Sequence, residues 1–229
     1  MTAFVDLILP LTAADILELW RDRALKFQRR AAEWGGPPLL DWETMRDLIV
    51  REVLPTRKCR ITYGGREVAP EFYCSDGRLD AARLNALVEQ GVSIVVNGLH
   101  SSVPAIRAAC RDAATHGLGT AKAAAVMTTG KGGALPMHYD AYDLVVLQME
   151  GSKRWRVHGP RVPKPVKGDF AAEVPQTPPL FDDILHPGDL LYLPAGFWHQ
   201  CENRQERSLH VGLALEVPDT DREEAEVSR

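Results

Sequence analysis

Three side chains stand out for what they could do together. His138 and Asp140 flank Tyr139 at positions i and i+2. On an extended chain such residues point to the same side, so an imidazole and a carboxylate can reach one ion. A second histidine, His199, follows the apolar turn LYLPAGFW. Two imidazoles and one carboxylate on one face of a metal leave its remaining positions open. That is the donor set of non-haem Fe(II) oxygenases, whose open positions take a bidentate cosubstrate and O2. By spacing alone, a structural cluster of satisfied polar groups remains the alternative, because an HxD triplet arises often by chance.

Strands and tight turns must position this set. From about residue 120 the pattern is of short strands separated by Gly and Pro: AKAAAVMTT (121–129), a loop GKGGALP (130–136), DLVVLQME (143–150), a Gly151-Ser152 turn, KRWRVHG (153–159), LFDDIL, LLYL, and SLHVGLALEV (208–217). Many short strands with regular turns predict a closed or sandwiched β architecture. Residues 160–179 hold six of the sixteen prolines and read as a long loop able to cover a substrate.

Residues 1–119 read differently. Helices are expected at 12–33 with Thr12 as N-cap, at 42–54 behind Asp41, at 81–90 behind Asp80, and at 103–115. A hairpin is expected around Gly64-Gly65, and VSIVVNGL (92–99) reads as a buried strand. The expected organisation is one domain over 1–217, made of a helical and strand region (1–119) and a metal-binding core (120–217), with an acidic tail at 218–229.

Composition narrows the class. The 229 residues carry 27 Lys and Arg against 31 Asp and Glu, a net charge of −4. No basic excess points to nucleic acid. No apolar run is long enough for a membrane span, and the N-terminus lacks the basic region of a signal peptide. Four cysteines without a CxxC pair read as reduced thiols. The expectation is a cytoplasmic protein that binds neither nucleic acid nor membrane.

With these residues in view, HYDAYDLVVLQMEGSKRWRV (138–157) resembles the first metal-binding segment of the JmjC-type cupin oxygenases, in particular the ribosomal-oxygenase group called cupin-4. HPGDLLYLPAGFWHQ (186–200) with SLHVGLAL (208–215) is similar to the second segment. GVSIVVNGLHSSVPAIRAAC (91–110) also resembles that group, and TYGGREVAPEFY (62–73) does so more loosely. The resemblance implies a mainly β protein with helices: a double-stranded β-helix (jelly-roll, cupin) barrel with an N-terminal α/β region packed around it. It implies an Fe(II)- and 2-oxoglutarate-dependent dioxygenase that uses O2 to hydroxylate an unactivated C–H bond. His138, Asp140 and His199 are then the iron ligands.

Lys153 falls where that family places the partner of the distal 2-oxoglutarate carboxylate, with Arg154 as the second choice. Strand alternation supports Lys153. It shares a face with Trp155 and Val157, where a lysine is costly unless paired. Ser208 and His210 share a face of the last strand and are candidates to line the pocket with Thr128, Thr129 and Gln148. Tyr139, Trp155 and Trp198 read as packing groups, and His100, His116, His158 and His186 as structural or exposed.

The sequence departs from the family in two ways. The family often has an Asn in the strand that here reads AKAAAVMTT. Its members continue past the barrel into helical and winged-helix-like regions, whereas this sequence stops about twelve residues after its last strand. With the neutral-to-acidic charge, this turns the expectation toward an amino-acid-like or short peptide substrate, a protein side chain being the other option, and a homodimer is possible. A different metal-binding cupin, 2-oxoglutarate-independent or a non-catalytic sensor, is the competing reading. The 2-oxoglutarate-independent enzyme would draw a fourth ligand from His210.

Overall fold

The computed structural model describes residues 3–30, 39–50, 58–130, 134–160, 169–170 and 175–218. The chain begins with α1 (Phe4–Ile8), α2 (Ala13–Asp22), β1 (Lys26–Gln28) and α3 (Trp42–Val50). The hairpins β2 (Cys59–Tyr63) and β3 (Arg66–Val68), then β4 (Cys74–Ser75) and β5 (Arg78–Leu79), lead to α4 (Ala81–Gln90), β6 (Ser93–Asn97) and α5 (Pro104–Thr115). The remainder is strand: β7 (Thr120–Thr129), β8 (Ala134–Tyr139), β9 (Asp143–Glu150), β10 (Lys153–Pro160), β11 (Asp169–Phe170), β12 (Phe181–Leu185), β13 (Leu190–Leu193), β14 (Phe197–Asn203) and β15 (Arg207–Glu216).

Two sheets make the jelly roll. The larger runs β1-β13-β9-β15-β7-β6-β2-β3 and the smaller β11-β8-β14-β10-β12. The central strands of the larger sheet, β9, β13 and β15, are buried on both faces, and successive side chains alternate between the two. Ala123, Ala125 and Met127 of β7, Val145 and Leu147 of β9, and Leu209, Val211 and Leu213 of β15 face a core shared with the helices. Each Val, Leu or Met side chain among them contributes about 1.5–3 kcal/mol on burial, and each alanine less. The opposite faces look inward. There Val146, Trp155, Val157, Leu191, Leu193 and Phe197 form a second, smaller cluster between the sheets.

Local signals hold where they depend on near neighbours. Thr12 caps α2, accepting from the Asp15 N–H, and Asp15 answers at the Thr12 N–H. Asp80 caps α4, and Asp41 accepts from the Thr44 N–H at the start of α3. Gly64 and Gly65 both have positive φ, as the two-residue hairpin turn requires.

Four expectations need correction. The helix begun at Thr12 does not reach residue 33. Arg23 adopts left-handed backbone (φ 50°), its N–H caps the Leu19 and Trp20 carbonyls, and the chain continues as β1. Phe27 is therefore a strand residue paired with Leu191 rather than part of the helical stripe. The stretch 130–136 is not all loop, because β8 starts at Ala134. The strand predicted over 92–99 is shorter, and Leu99–Ser101 form a 3-10 turn. The proline-rich segment contains β11, paired with β8; residues 161–168 and 171–174 lie outside the described residues, as do 51–57 at the end of the second expected helix and the tail from 219. Strands from both sides of residue 119 join in one sheet, since β6 pairs with β7 and β2 with β6. Among the described residues no helix is long and apolar enough to cross a membrane.

Candidate metal centre

β8 and β14 are antiparallel neighbours, and their register sets His138 opposite His199. The two rings lie 4.2 Å apart between centroids. Asp140 follows at the end of β8, its Oδ2 3.6 Å from His199 Nε2. One donor atom from each of His138, Asp140 and His199 falls within 4.8 Å of the others, the separation expected around one ion. Among the described residues these three form the one such group.

The backbone orients both imidazoles. His138 Nδ1 lies 2.8 Å from the Pro136 carbonyl, and His199 Nδ1 lies 3.0 Å from the Phe197 carbonyl. A carbonyl only accepts, so each Nδ1 carries the proton and each Nε2 lone pair is left for a metal. Burial holds His199 neutral and pushes it down to about 4, with His138 adding to the effect. Asp140 is tied in through its carbonyl, which accepts the Gly196 N–H at 2.8 Å. The turn carrying Gly196 is gripped at the preceding residue. The Asp143 carboxylate accepts the Ala195 N–H at 2.6 Å, and Arg23 Nη2 donates to the Ala195 carbonyl at 2.7 Å.

The triad opens into a cavity of about 340 Å³, in the range of small-ligand sites. Trp155 and His210 also line it. Lys153, 1% exposed, lies against two of its lining residues, Val126 and His210. Its Nζ donates to the Val126 carbonyl at 3.0 Å and to His210 Nδ1 at 2.9 Å. Among the described residues no carboxylate pairs with it, and burial pushes Lys153 down to about 8. His210, also fully buried and beside Lys153, is held well below the usual imidazole range.

The remaining predicted residues sort as follows. Ser208 is fully buried with no partner for its Oγ. Thr128, its cross-strand neighbour, shares a hydrogen bond with Ser93 at 3.0 Å. Thr129 bonds back to the Val88 carbonyl. Gln148 Nε2 donates to backbone, and its buried Oε1 lacks a partner. Arg154 points to the outer face and is bidentate to Asp182. Tyr139 packs edge-on against Trp198. His100, His116 and His158 have partners elsewhere.

The sequence reading missed part of the cavity wall. Arg60, Asn97 and Tyr142 line it. Tyr142, which hydrogen-bonds Asp140 and is pushed up by burial, had a signal in the HYDAYD string. Arg60 and Asn97 had none, because only pairing across the sheet brings them there.

A sequence profile of the JmjC domain matches residues 102–222, more than half of the chain. The chain belongs to the JmjC domain family. This JmjC domain is 42% identical over 89 residues to ribosomal oxygenase 2 of Mus musculus, covering 39% of this chain and 19% of that protein. It is 26% identical over 205 residues to the bifunctional lysine-specific demethylase and histidyl-hydroxylase NO66 of Drosophila willistoni, covering 86% of this chain and 26% of the relative. Among solved structures, the ribosomal oxygenase YcfD of Escherichia coli superposes with a TM-score of 0.63 at 20% identity, over 96% of this chain and 55% of YcfD. A further structure of YcfD, in complex with cobalt and 2-oxoglutarate, superposes with a TM-score of 0.62 at 18% identity. The JmjC domain described here thus spans about half the length of YcfD and 19% and 26% of these two curated relatives.

Proposed function

We propose that this chain is an Fe(II)- and 2-oxoglutarate-dependent oxygenase that hydroxylates an unactivated C–H of an amino-acid, peptide or protein side chain. The observation that carries the reading is the pairing of an oriented His138–Asp140–His199 set with a buried Lys153 that has no acidic partner among the described residues. The relatives named as oxygenases and histidyl-hydroxylases, and the complex of YcfD with cobalt and 2-oxoglutarate, support it.

The residues fit both groups. His138 Nε2, Asp140 and His199 Nε2 would hold Fe(II) on one face. A dicarboxylate reaching the buried end would meet the Lys153 ammonium, with the unpartnered Ser208 Oγ nearby in the fold and Thr128 behind it as a supporting wall. A cation in this setting is costly unless an anion answers it. Bound Fe(II), 2-oxoglutarate and O2 would supply the oxidation, with succinate and CO2 as coproducts. The protein's part is to orient the ligands, hold the cosubstrate by its far carboxylate, and keep water away through Trp155, which stacks on His199 and meets His210 edge-on.

The reading with a fourth histidine ligand is disfavoured. His210 Nδ1 is taken by Lys153, and His210 falls outside the ligand group.

The test is anaerobic purification, loading with Fe(II) and 2-oxoglutarate, exposure to O2, and measurement of succinate against His138→Ala. Succinate lost in the variant establishes the cosubstrate. If the protein neither forms succinate nor binds 2-oxoglutarate in a titration, the reading fails.

A further inference from the structure

Three consecutive residues, Ala195, Gly196 and Phe197, serve the metal-binding set from one tight turn. The Gly196 N–H donates to the Asp140 carbonyl at 2.8 Å, and the Phe197 carbonyl accepts the His199 Nδ1 proton at 3.0 Å. The Phe197 N–H closes the turn on the Pro194 carbonyl at 3.2 Å. Two of the three ligand residues therefore follow any displacement of this turn. The turn is in its place through Ala195, whose two backbone polar groups are taken by side chains distant in sequence. Asp143 accepts the Ala195 N–H at 2.6 Å, and Arg23 Nη2 donates to the Ala195 carbonyl at 2.7 Å.

Arg23 reaches the turn from the N-terminal helical region, outside the residues 102–222 that match the JmjC profile. It ends α2, and β1 starts three residues later, antiparallel to β13 with Lys26 opposite Tyr192. Carried back three residues, that register sets Arg23 against Ala195. The chain has to change from helix to strand within this short link, and it does so at Arg23, in left-handed backbone (φ 50°, ψ 44°). Glycine is the usual residue at such a helix end, because a Cβ is strained there. Among the described residues only Arg23 and Asp76 are non-glycine residues at positive φ. Such a conformation persists where its surroundings over-determine it, and it clusters at functional sites. What arginine supplies here and glycine cannot is the bond to the Ala195 carbonyl.

We propose that Arg23 is a positioning residue of the metal centre. Its guanidinium fixes the Ala195–Phe197 turn, and the turn fixes the Asp140 backbone and the His199 ring. The N-terminal helical region is thereby a working part of the site and not only a support for the barrel. This deepens the oxygenase reading above and rests on its metal-binding set.

The test uses the whole chain and two substitutions. Arg23→Gly removes the guanidinium but suits the left-handed backbone, so α2 keeps its end. Arg23→Lys keeps a cationic donor able to reach the carbonyl. Electron paramagnetic resonance reads Mn(II) affinity, visible absorption of the Co(II)-loaded protein reads the arrangement of the ligands, and thermal unfolding of the metal-free protein reads the fold. Arg23→Gly is expected to weaken Mn(II) binding by about tenfold or more, as for other residues standing behind a ligand. It should also change the Co(II) spectrum while the metal-free unfolding midpoint stays close to that of the unsubstituted protein. Arg23→Lys should recover part of both the affinity and the spectrum. Unchanged Mn(II) affinity and an unchanged Co(II) spectrum in Arg23→Gly overturn the proposal. So does a loss of affinity that comes with a lowered metal-free midpoint, or one that Arg23→Lys does not relieve, since Arg23 is then a staple for α2. An unsubstituted protein that binds metal but neither forms succinate nor binds 2-oxoglutarate loses the oxygenase reading alone. One that forms succinate while Arg23→Gly binds metal normally loses this inference alone. Uptake of neither metal by the unsubstituted protein overturns both.

Discussion

His138 and His199 are register partners on adjacent strands, and each gives its Nδ1 proton to a backbone carbonyl two residues upstream. The metal-binding nitrogens are thus set by the backbone of β8 and β14. Replacing either histidine with Ala should abolish succinate formation. It should weaken metal binding by more than the about 10–100-fold typical of losing an outer-shell partner. Mn(II) titration followed by electron paramagnetic resonance reads this directly.

Asp143 acts on the same centre at one remove, through the Ala195 N–H it accepts. Asp143→Ala frees the turn that leads into His199 and holds the Asp140 carbonyl. Metal affinity should fall by about 10–100-fold with the fold retained. Titration of the metal against a circular dichroism control checks both halves.

Lys153 makes cosubstrate binding pH-dependent. In the free protein burial pushes it down to about 8, so above that pH it is neutral. A bound dicarboxylate favours the charged form. Binding should therefore take up a proton, and the Kd for 2-oxoglutarate should rise by up to about tenfold per pH unit above 8. Calorimetry in buffers of different ionisation enthalpy measures the uptake. A Kd flat from pH 7 to 9.5 would contradict it.

The same lysine weakens the ligand-free fold. Its folded pKa lies below its unfolded value of 10.5. The cost is absent above pH 10.5 and grows as pH falls, becoming complete below about 8. Lys153→Met should stabilise the ligand-free protein at pH 7 by on the order of 2–3 kcal/mol while eliminating 2-oxoglutarate binding. Thermal unfolding with and without 2-oxoglutarate shows both effects.

Gly151 turns β9 into β10 at φ 60°, and a Cβ there would run into the Arg207 carbonyl and Ser208. Gly151→Ala should cost at least about 2 kcal/mol and loosen Lys153, which begins the next strand. Denaturant unfolding would register the loss.

Much of the centre was legible before any tertiary structure. HYD, the Gly151 turn, and the side of β10 that Lys153 shares with Trp155 follow from period-two alternation, and β10 buries that side as expected. Caps at Thr12, Asp41 and Asp80 were legible because their partners sit three residues away. The end of α2 was not. Its apolar spacing continues to Phe27, but Phe27 gains more by pairing β1 onto β13 than by extending a helix. Arg60 and Asn97 were equally hidden, since nothing near them in sequence marks a cavity.

The sequence by itself determined the donor types, their same-side placement within each strand, and the turns between strands, because these depend on chain geometry over a few residues. Tertiary structure decided that His199 faces His138, that Lys153 is buried without an acidic partner among the described residues, and that β6 and β2 complete the cavity wall. Those outcomes are set by register and desolvation, which sum contributions from residues distant along the chain and are fixed only when the two sheets close on each other.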